Sequence, residues 1–278
     1  RTCPGVDLGG RRASNNHNMC IDGEGVIYAL SYNGLLQSVV GKQVAQPITL
    51  PESKGWTRLF PIGNNRLLLS SASSLYIFDT VSRMVVASIQ VPQEITTLGK
   101  KGDRVMVFGK KGGIWSVGKD AKLKAEEIST RGIVTAFTWY KEKNLSAIGL
   151  ENGDILVFDA SGNSRGKLVG HSSRVTDLHF VDNFLFSSSY DRVVNIWDVN
   201  ATNSEAVSIN DFTSWVYCMC SNDKKALFIG EQSGKVSRIV VSPSEMAKTI
   251  HSNLKRDFTD DEWAYYVGKN VPRIKLKN

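Results

Sequence analysis

The feature that most constrains this chain is a repeat. Strand-like runs end at Phe78, Trp115, Phe158, Trp197 and Arg238, with separations of 37, 43, 39 and 41 residues. A unit of about forty residues is too small to bury its own apolar face, so each unit must lean on the next. Inside each unit, short runs rich in β-branched and aromatic residues alternate with Gly, Asn, Asp and Ser, as strands alternate with turns. The units begin near Met19, Gly55, Glu94, Gly132, Gly170 and Ser214. This predicts an all-β chain, a β-propeller with blades of four-stranded antiparallel sheet. Six units leave two counts open, six blades or seven, and the expectation leans to seven in a longer parent.

The clearest unit is the fifth. Val175 to Phe180, Phe184 to Ser188 and Val193 to Trp197 read as strands, Asp191-Arg192 as a tight turn, and Val207 to Ile209 as an outer strand. His171, Ser187, Asp191 and Trp197 have the types and order for one hydrogen-bonded network. The imidazole would meet the turn aspartate, and serine would join it to the indole N–H. The alternative is a catalytic dyad of His171 and Asp191 with Ser187 as nucleophile. Weaker versions of the same slots recur in other units, which favours a structural role.

Other units carry local signals. Asn33-Gly34 and Asn152-Gly153 predict hairpin turns. In the third unit, Ala125-Glu126-Glu127 favours helix by propensity, but its place in the repeat favours an outer strand from Lys122 to Ile128. Residues 1–18 read as irregular, with the option of a strand that completes a blade. Residues 19–243 hold the blade modules and 244–278 form a different extension. There, Thr259 with Glu262 three residues on predicts a capped helix, stopped by Gly268. Its aromatic residues Phe258, Trp263 and Tyr266 suit either capping of the propeller or docking of a partner.

Gly170-His171, Ser187, Asp191 and the Trp197-Asp198 pair resemble the WD-repeat family. Phe78-Asp79 and Phe158-Asp159 are near matches, whereas Trp115-Ser116 loses the acid. The resemblance implies a rigid ring that displays loops to partners. Residues 253–266 are similar to the C-terminal end of bacterial signalling proteins that join a STAND-type nucleotide-binding ATPase to WD repeats. The matching residues are Asp257, Phe258, Thr259, Glu262, Trp263 and Tyr266. This implies a sensor or scaffold whose ATPase lies upstream, since no phosphate-binding Gly-rich Lys loop occurs in the 278 residues.

The sequence disfavours chemistry. His17, His171, His179 and His251 sit in unrelated contexts, and no metal motif surrounds Cys3, Cys20, Cys218 or Cys220. Cys218 and Cys220 read as small buried strand residues. Cys3 and Cys20 could pair only in an oxidising compartment. We therefore expect no enzyme activity, no cofactor and no metal. The net charge of +7 comes largely from separated pairs such as Lys100-Lys101 and Lys110-Lys111 and from the tail, a pattern of solvated loops more than a nucleic-acid track. No run of eighteen apolar residues spans a membrane. A chain starting at Arg1 reads as a piece of something longer. Compartment stays open, with the cytoplasm favoured and a membrane-associated parent allowed.

The expected function is a non-catalytic platform or sensor module binding a protein or peptide. The alternatives are a nucleic-acid-binding propeller and an enzyme with a central-channel active site. The residue just before each innermost strand should lie near the channel rim. By this reading the candidate contacts are Trp56, Glu94, Ile133, Arg174 and Trp215, with Arg58 and Arg131 beside them. Trp and Arg are frequent interface anchors. The competing reading packs the tryptophans between blades.

Overall fold

The computed structural model describes residues 19–31, 33–50, 55–63, 65–118, 120–126, 130–200, 205–222, 226–242, 245–246 and 258–268. Residues 1–18, including Cys3, and most of 244–257 lie outside them, as does the basic tail. The described residues form six antiparallel sheets in chain order. Five are meanders in which each strand pairs with its predecessor, the first differs only at its outer edge, and each sheet is one blade.

Blade 2 consists of Trp56–Gly63, Arg66–Ser71, Ser74–Asp79 and Met84–Gln90. Blade 3 consists of Ile95–Lys101, Arg104–Gly109, Ile114–Val117 and Leu123–Ala125. Blade 4 runs through Val134–Tyr140, Leu145–Leu150, Ile155–Phe158 and Ser164–Leu168. Blade 5 runs through Val175–Val181, Phe184–Ser189, Val194–Asp198 and Val207–Ile209. Blade 6 has three described strands, Val216–Asn222, Ala226–Glu231 and Val236–Val240.

Blade 1 departs from the expected pattern. Its first three strands are Met19–Ile21, Ile27–Leu30 and Leu35–Val40. Its outer strand is split. Gln43–Val44 and Ile48–Thr49 pair separately with Leu35–Val40. Pro47 lies between them and has no N–H to give to a ladder, which accounts for the break. In blade 3 tertiary context prevails over propensity: Leu123–Ala125 pairs with Ile114–Val117 as a strand.

The core lies between blades. Leu68, Leu75 and Ile77 of blade 2 pack with Leu98, Val105 and Val107 of blade 3. Ala147 and Val157 of blade 4 pack with Leu178, Leu185 and Trp197 of blade 5. Val181 and Phe186 of blade 5 pack with Val216, Met219 and Ile229 of blade 6. The second strand of a blade is thus buried on both faces, as Leu67–Ser71 and Leu145–Leu150 are.

Five inner strands share one irregularity. A β-bulge falls at their second residue, between Trp56 and Arg58, Ile95 and Thr97, Val134 and Ala136, Val175 and Asp177, and Val216 and Cys218. The bulged residues are Thr57, Thr96, Thr135, Thr176 and Tyr217. Thr135 donates its hydroxyl to the Val175 carbonyl of the next blade at 2.6 Å, and Thr176 donates to the Val216 carbonyl at 2.7 Å. A bulge re-aims one side chain out of the pleat. In blades 4 and 5 it aims a short donor at the neighbouring blade, whereas Thr57 and Thr96 bond within their own blades.

Cys218 and Cys220 are exposed, contrary to the expectation of burial. Strand alternation sends Met219 towards blade 5 and both cysteines to the opposite face. Cys20 is a free thiol and half-buried.

The C-terminal helix spans Asp260–Trp263 and continues as one wide turn over Ala264–Gly268. Its predicted cap is present: Glu262 N–H donates to the Thr259 hydroxyl, and Thr259 N–H donates to the Glu262 carboxylate. The Phe258 ring lies 6.2 Å from Trp263 and 6.4 Å from Tyr266. No residue of Asp260–Trp263 is buried, so the aromatic rings meet one another more than they seal a core.

Candidate functional site

The four residues predicted to form a network in blade 5 come together. The His171 Nδ1 lies 2.9 Å from an Asp191 carboxylate oxygen, and its Nε2 lies 2.8 Å from the Ser187 hydroxyl. The Trp197 indole N–H donates to the same hydroxyl at 2.9 Å. An ionised carboxylate only accepts, so Nδ1 carries the proton towards Asp191. Asp191 also accepts backbone N–H bonds from Ser172 and Val193. Burial alone would raise its pKa, but the His171 bond and these backbone bonds outweigh burial and hold it below the ordinary aspartate value. Ser187 is fully buried, and its oxygen serves both neighbours. A nucleophile needs an open path to substrate, so this geometry suits a structural clamp.

The preceding blade fits tightly against the clamp. Gly153, in the Asn-Gly turn of blade 4, has φ 93°, and a Cβ there would collide with the His171 carbonyl. Glycine is required at that position both by its backbone and by the close approach.

The predicted rim residues do not all reach a rim. Arg58, Glu94, Ile133 and Arg174 line one cavity of about 270 Å³ with Thr57, Thr96, Lys110 and Glu151. Four successive blades therefore contribute to one mouth. Lys110 pairs with Glu94 at 2.8 Å, and Arg174 stands 3.8 Å from Glu151. Arg131 is exposed just ahead of the inner strand of blade 4.

Trp56 is a correction. It is only 1% exposed and packs on Tyr76 with ring centroids 4.9 Å apart. The register explains it. Trp56 pairs with Ser71 before the bulge, as Val175 pairs with Ser189 in blade 5. The blade 2 equivalent of Arg174 is thus Gly55. A slip of one residue sends a side chain to the other face of a strand. Trp56 follows the competing reading, packing between blades.

Trp215 is the opposite case. It is 43% exposed and stacks on Tyr190, with centroids 4.8 Å apart and planes 24° from parallel. Tyr217 meets Tyr190 edge-on at 5.9 Å. The Tyr190 and Trp215 rings border an open cavity of about 610 Å³ that also includes Ser172, Arg192 and Gln232. Tyr190 was not singled out by sequence reading. Its place directly before the turn aspartate of the clamp could have marked it, because that turn is fixed towards the inner strand: Tyr190 N–H donates to the Arg174 carbonyl.

Two buried charges occupy the same slot in different blades. Arg58 and Asp177 both stand directly after the bulge. Arg58 is 3% exposed and Asp177 is 6% exposed. Asp177 accepts backbone N–H bonds from Leu178 and from Met219 of blade 6, each at 2.8 Å. Burial nevertheless raises its pKa to about 7, and the backbone bonds and Arg58 only offset this in part. Burial lowers Arg58 to about 10 despite the attraction of Asp177, with Arg174 adding repulsion. In a satisfied ion pair each partner favours the other's charge. Here burial shifts both groups against their charged forms, and their mutual attraction offsets this only in part.

Comparison with known proteins agrees with this architecture. The family model "WD domain, G-beta repeat" matches residues 162–198, which contain the His171–Trp197 clamp. The fold is a WD-repeat-type β-propeller. A "DDB1- and CUL4-associated factor 10" from Xenopus laevis is 28% identical over 90 residues, which cover 31% of this chain and 20% of that protein. A "WD repeat and SOCS box-containing protein 1" from Xenopus tropicalis is 27% identical over 103 residues, covering 36% of this chain and 24% of that protein. The match thus spans only about a quarter or less of those relatives' length. Among solved structures, the computationally designed protein Ika8 superposes with a TM-score of 0.63 at 17% identity, covering 83% of this chain and 85% of that one. That likeness concerns the propeller fold alone.

Proposed function

We propose that this propeller is a non-catalytic platform that receives a protein or peptide partner on the face carrying Arg174, Tyr190 and Trp215. The observation that carries the reading is the Trp215–Tyr190 stack. A tryptophan is left 43% exposed beside an open cavity, whereas Trp56, Trp115 and Trp197 are buried. Exposed aromatic residues flanked by arginine are the side chains on which interfaces concentrate their binding energy. The WD-repeat match and the adaptor-like names of the relatives support the same reading. The deep burial of Ser187 and His171 favours it over catalysis.

Residues 19–243 would be the binding unit, with 244–278 as an appended segment. The similarity of residues 253–266 to bacterial STAND-type signalling proteins supports placing the platform within a larger sensor. Sequencing the gene upstream of Arg1 tests this, and the absence of an ATPase region there would remove that part.

The rim reading is tested by affinity capture from native extract. The double variant Arg174→Ala/Trp215→Ala should lose its partners while its thermal midpoint stays within a few degrees of the parent. Capture unchanged by the two substitutions would overturn the assignment of this face.

A further inference from the structure

We propose that the cavity at the channel mouth is a carboxylate-binding site, in which Arg58 and Arg174 receive an acidic group presented by the docked partner. The proposal rests on the platform reading and specifies the chemistry of its centre. Three observations carry it.

The first is an unpartnered donor. Arg58 lines the cavity, yet its Nη1 is buried and has no hydrogen-bond partner. A guanidinium taken out of water without a partner is costly, and an arriving carboxylate relieves that cost with charge-assisted bonds. The second is that the nearest buried acid is already engaged. Both oxygens of Asp177 accept backbone N–H groups, so Asp177 is positioned to join blade 5 to blade 6 more than to cap Arg58.

The third is the charge around the mouth. Arg58, Lys110 and Arg174 line it against Glu94 and Glu151. Glu94 is bound by Lys110, and Glu151 stands opposite Arg174 at a distance longer than a hydrogen bond. Among these lining residues, with the engaged Asp177 behind them left aside, one positive charge is left over, and one carboxylate balances it. At about 270 Å³ the cavity admits a single Asp or Glu side chain or a small free acid, but not a folded element. The planar fork of arginine matches the carboxylate it would receive.

The test uses the whole chain labelled with ¹⁵N-arginine. The probes are the capped pentapeptide Gly-Gly-Glu-Gly-Gly, its Gln counterpart, succinate and inorganic phosphate. The Glu peptide should move the Arg58 Nε–H resonance, and the Gln peptide should not. Arg58→Met should weaken the Glu peptide by about tenfold or more while leaving the thermal midpoint equal or higher, because it removes an unpaired buried charge. Arg174→Gln should weaken the peptide less. Succinate binding as tightly as the peptide would assign the site to a free dicarboxylate. Preference for the peptide would assign it to a docked chain. Either supports a carboxylate site.

Equal binding of the Gln peptide, binding of phosphate alone, or unchanged affinity in Arg58→Met would overturn the proposal. So would a large fall in thermal midpoint in Arg58→Met, which would mark the arginine as a structural residue. The two readings fail separately. If Arg58→Met keeps native partners that Arg174→Ala/Trp215→Ala loses, the platform stands and the carboxylate site falls. If the rim variant keeps its partners while the Glu peptide still binds through Arg58, the carboxylate site stands and the rim assignment falls.

Discussion

Blades 2 and 5 use one backbone plan with two different interiors. Both have a bulge at the second residue of the inner strand, and both place a ring that is 1% exposed one residue before the end of the third strand, Phe78 in one and Trp197 in the other. Around Phe78 the blade is closed by apolar contacts with Trp56, Leu67 and Tyr76. Around Trp197 it is closed by a chain of hydrogen bonds through Ser187 and His171 to Asp191. The backbone plan therefore does not require the polar clamp. The clamp is one way to fix the approach to the inner strand, and dispersion between rings is another.

The largest test of that contrast falls on blade 2. Trp56→Ala leaves a cavity between blades and should cost about 3–5 kcal/mol, read as a shift in the urea midpoint. Asp191→Ala should cost about 2–3 kcal/mol, because the buried His171 ring N–H loses its acceptor, while the exposed Ser172 N–H turns to water. A similar loss from Trp197→Phe would show that the indole N–H matters as much as the ring. We expect less, about 1 kcal/mol, since Ser187 keeps His171 as partner. Thr176→Val removes one inter-blade bond and should also cost about 1 kcal/mol, while Thr57→Val, on a half-buried threonine of blade 2, should cost less.

Acid titration sharpens the comparison further. The folded pKa of Asp191 lies below its ordinary value of 3.8, so its contribution is complete above that range and is lost as pH falls through the folded value. Asp191→Asn should flatten this acid limb. Asp177 acts in the opposite sense. Its folded pKa is raised to about 7 from 3.8, so ionising it erodes stability as pH climbs between those values. Asp177→Asn should remove that erosion. Blade 2 has no counterpart to the clamp carboxylate, so variants confined to Phe78 should leave both limbs unchanged.

The repeat made the architecture legible, because a period near forty residues admits few folds. The clamp was legible because its four side chains have complementary donors and acceptors in fixed order. The rim was legible only in part. Trp215 and Arg174, which the proposed rim retains, stood out from their place before a strand, but Trp56 was not separable from them without the pairing register. Aligning Thr57, Thr96, Thr135 and Thr176 would have supplied that register, since they recur at intervals of 39, 39 and 41 residues. The same alignment would have put Arg58 and Asp177 in one slot. Their burial, which shifts both against their charged forms, was beyond the sequence, because it depends on how the blades pack around them. The exposure of Cys218 and Cys220 was hidden for a related reason: alternation fixes that they share a face, but not which one.

The bulged threonines set a grammar for how such a chain can lengthen or be re-cut. Thr135 and Thr176 each reach forward to a carbonyl forty residues later, so a unit is completed by the backbone of its successor. A duplicated or transplanted segment keeps these links only when its ends fall at equivalent points of two inner strands. Whole periods can therefore be gained or lost in one event, whereas a splice elsewhere leaves a hydroxyl aimed at nothing.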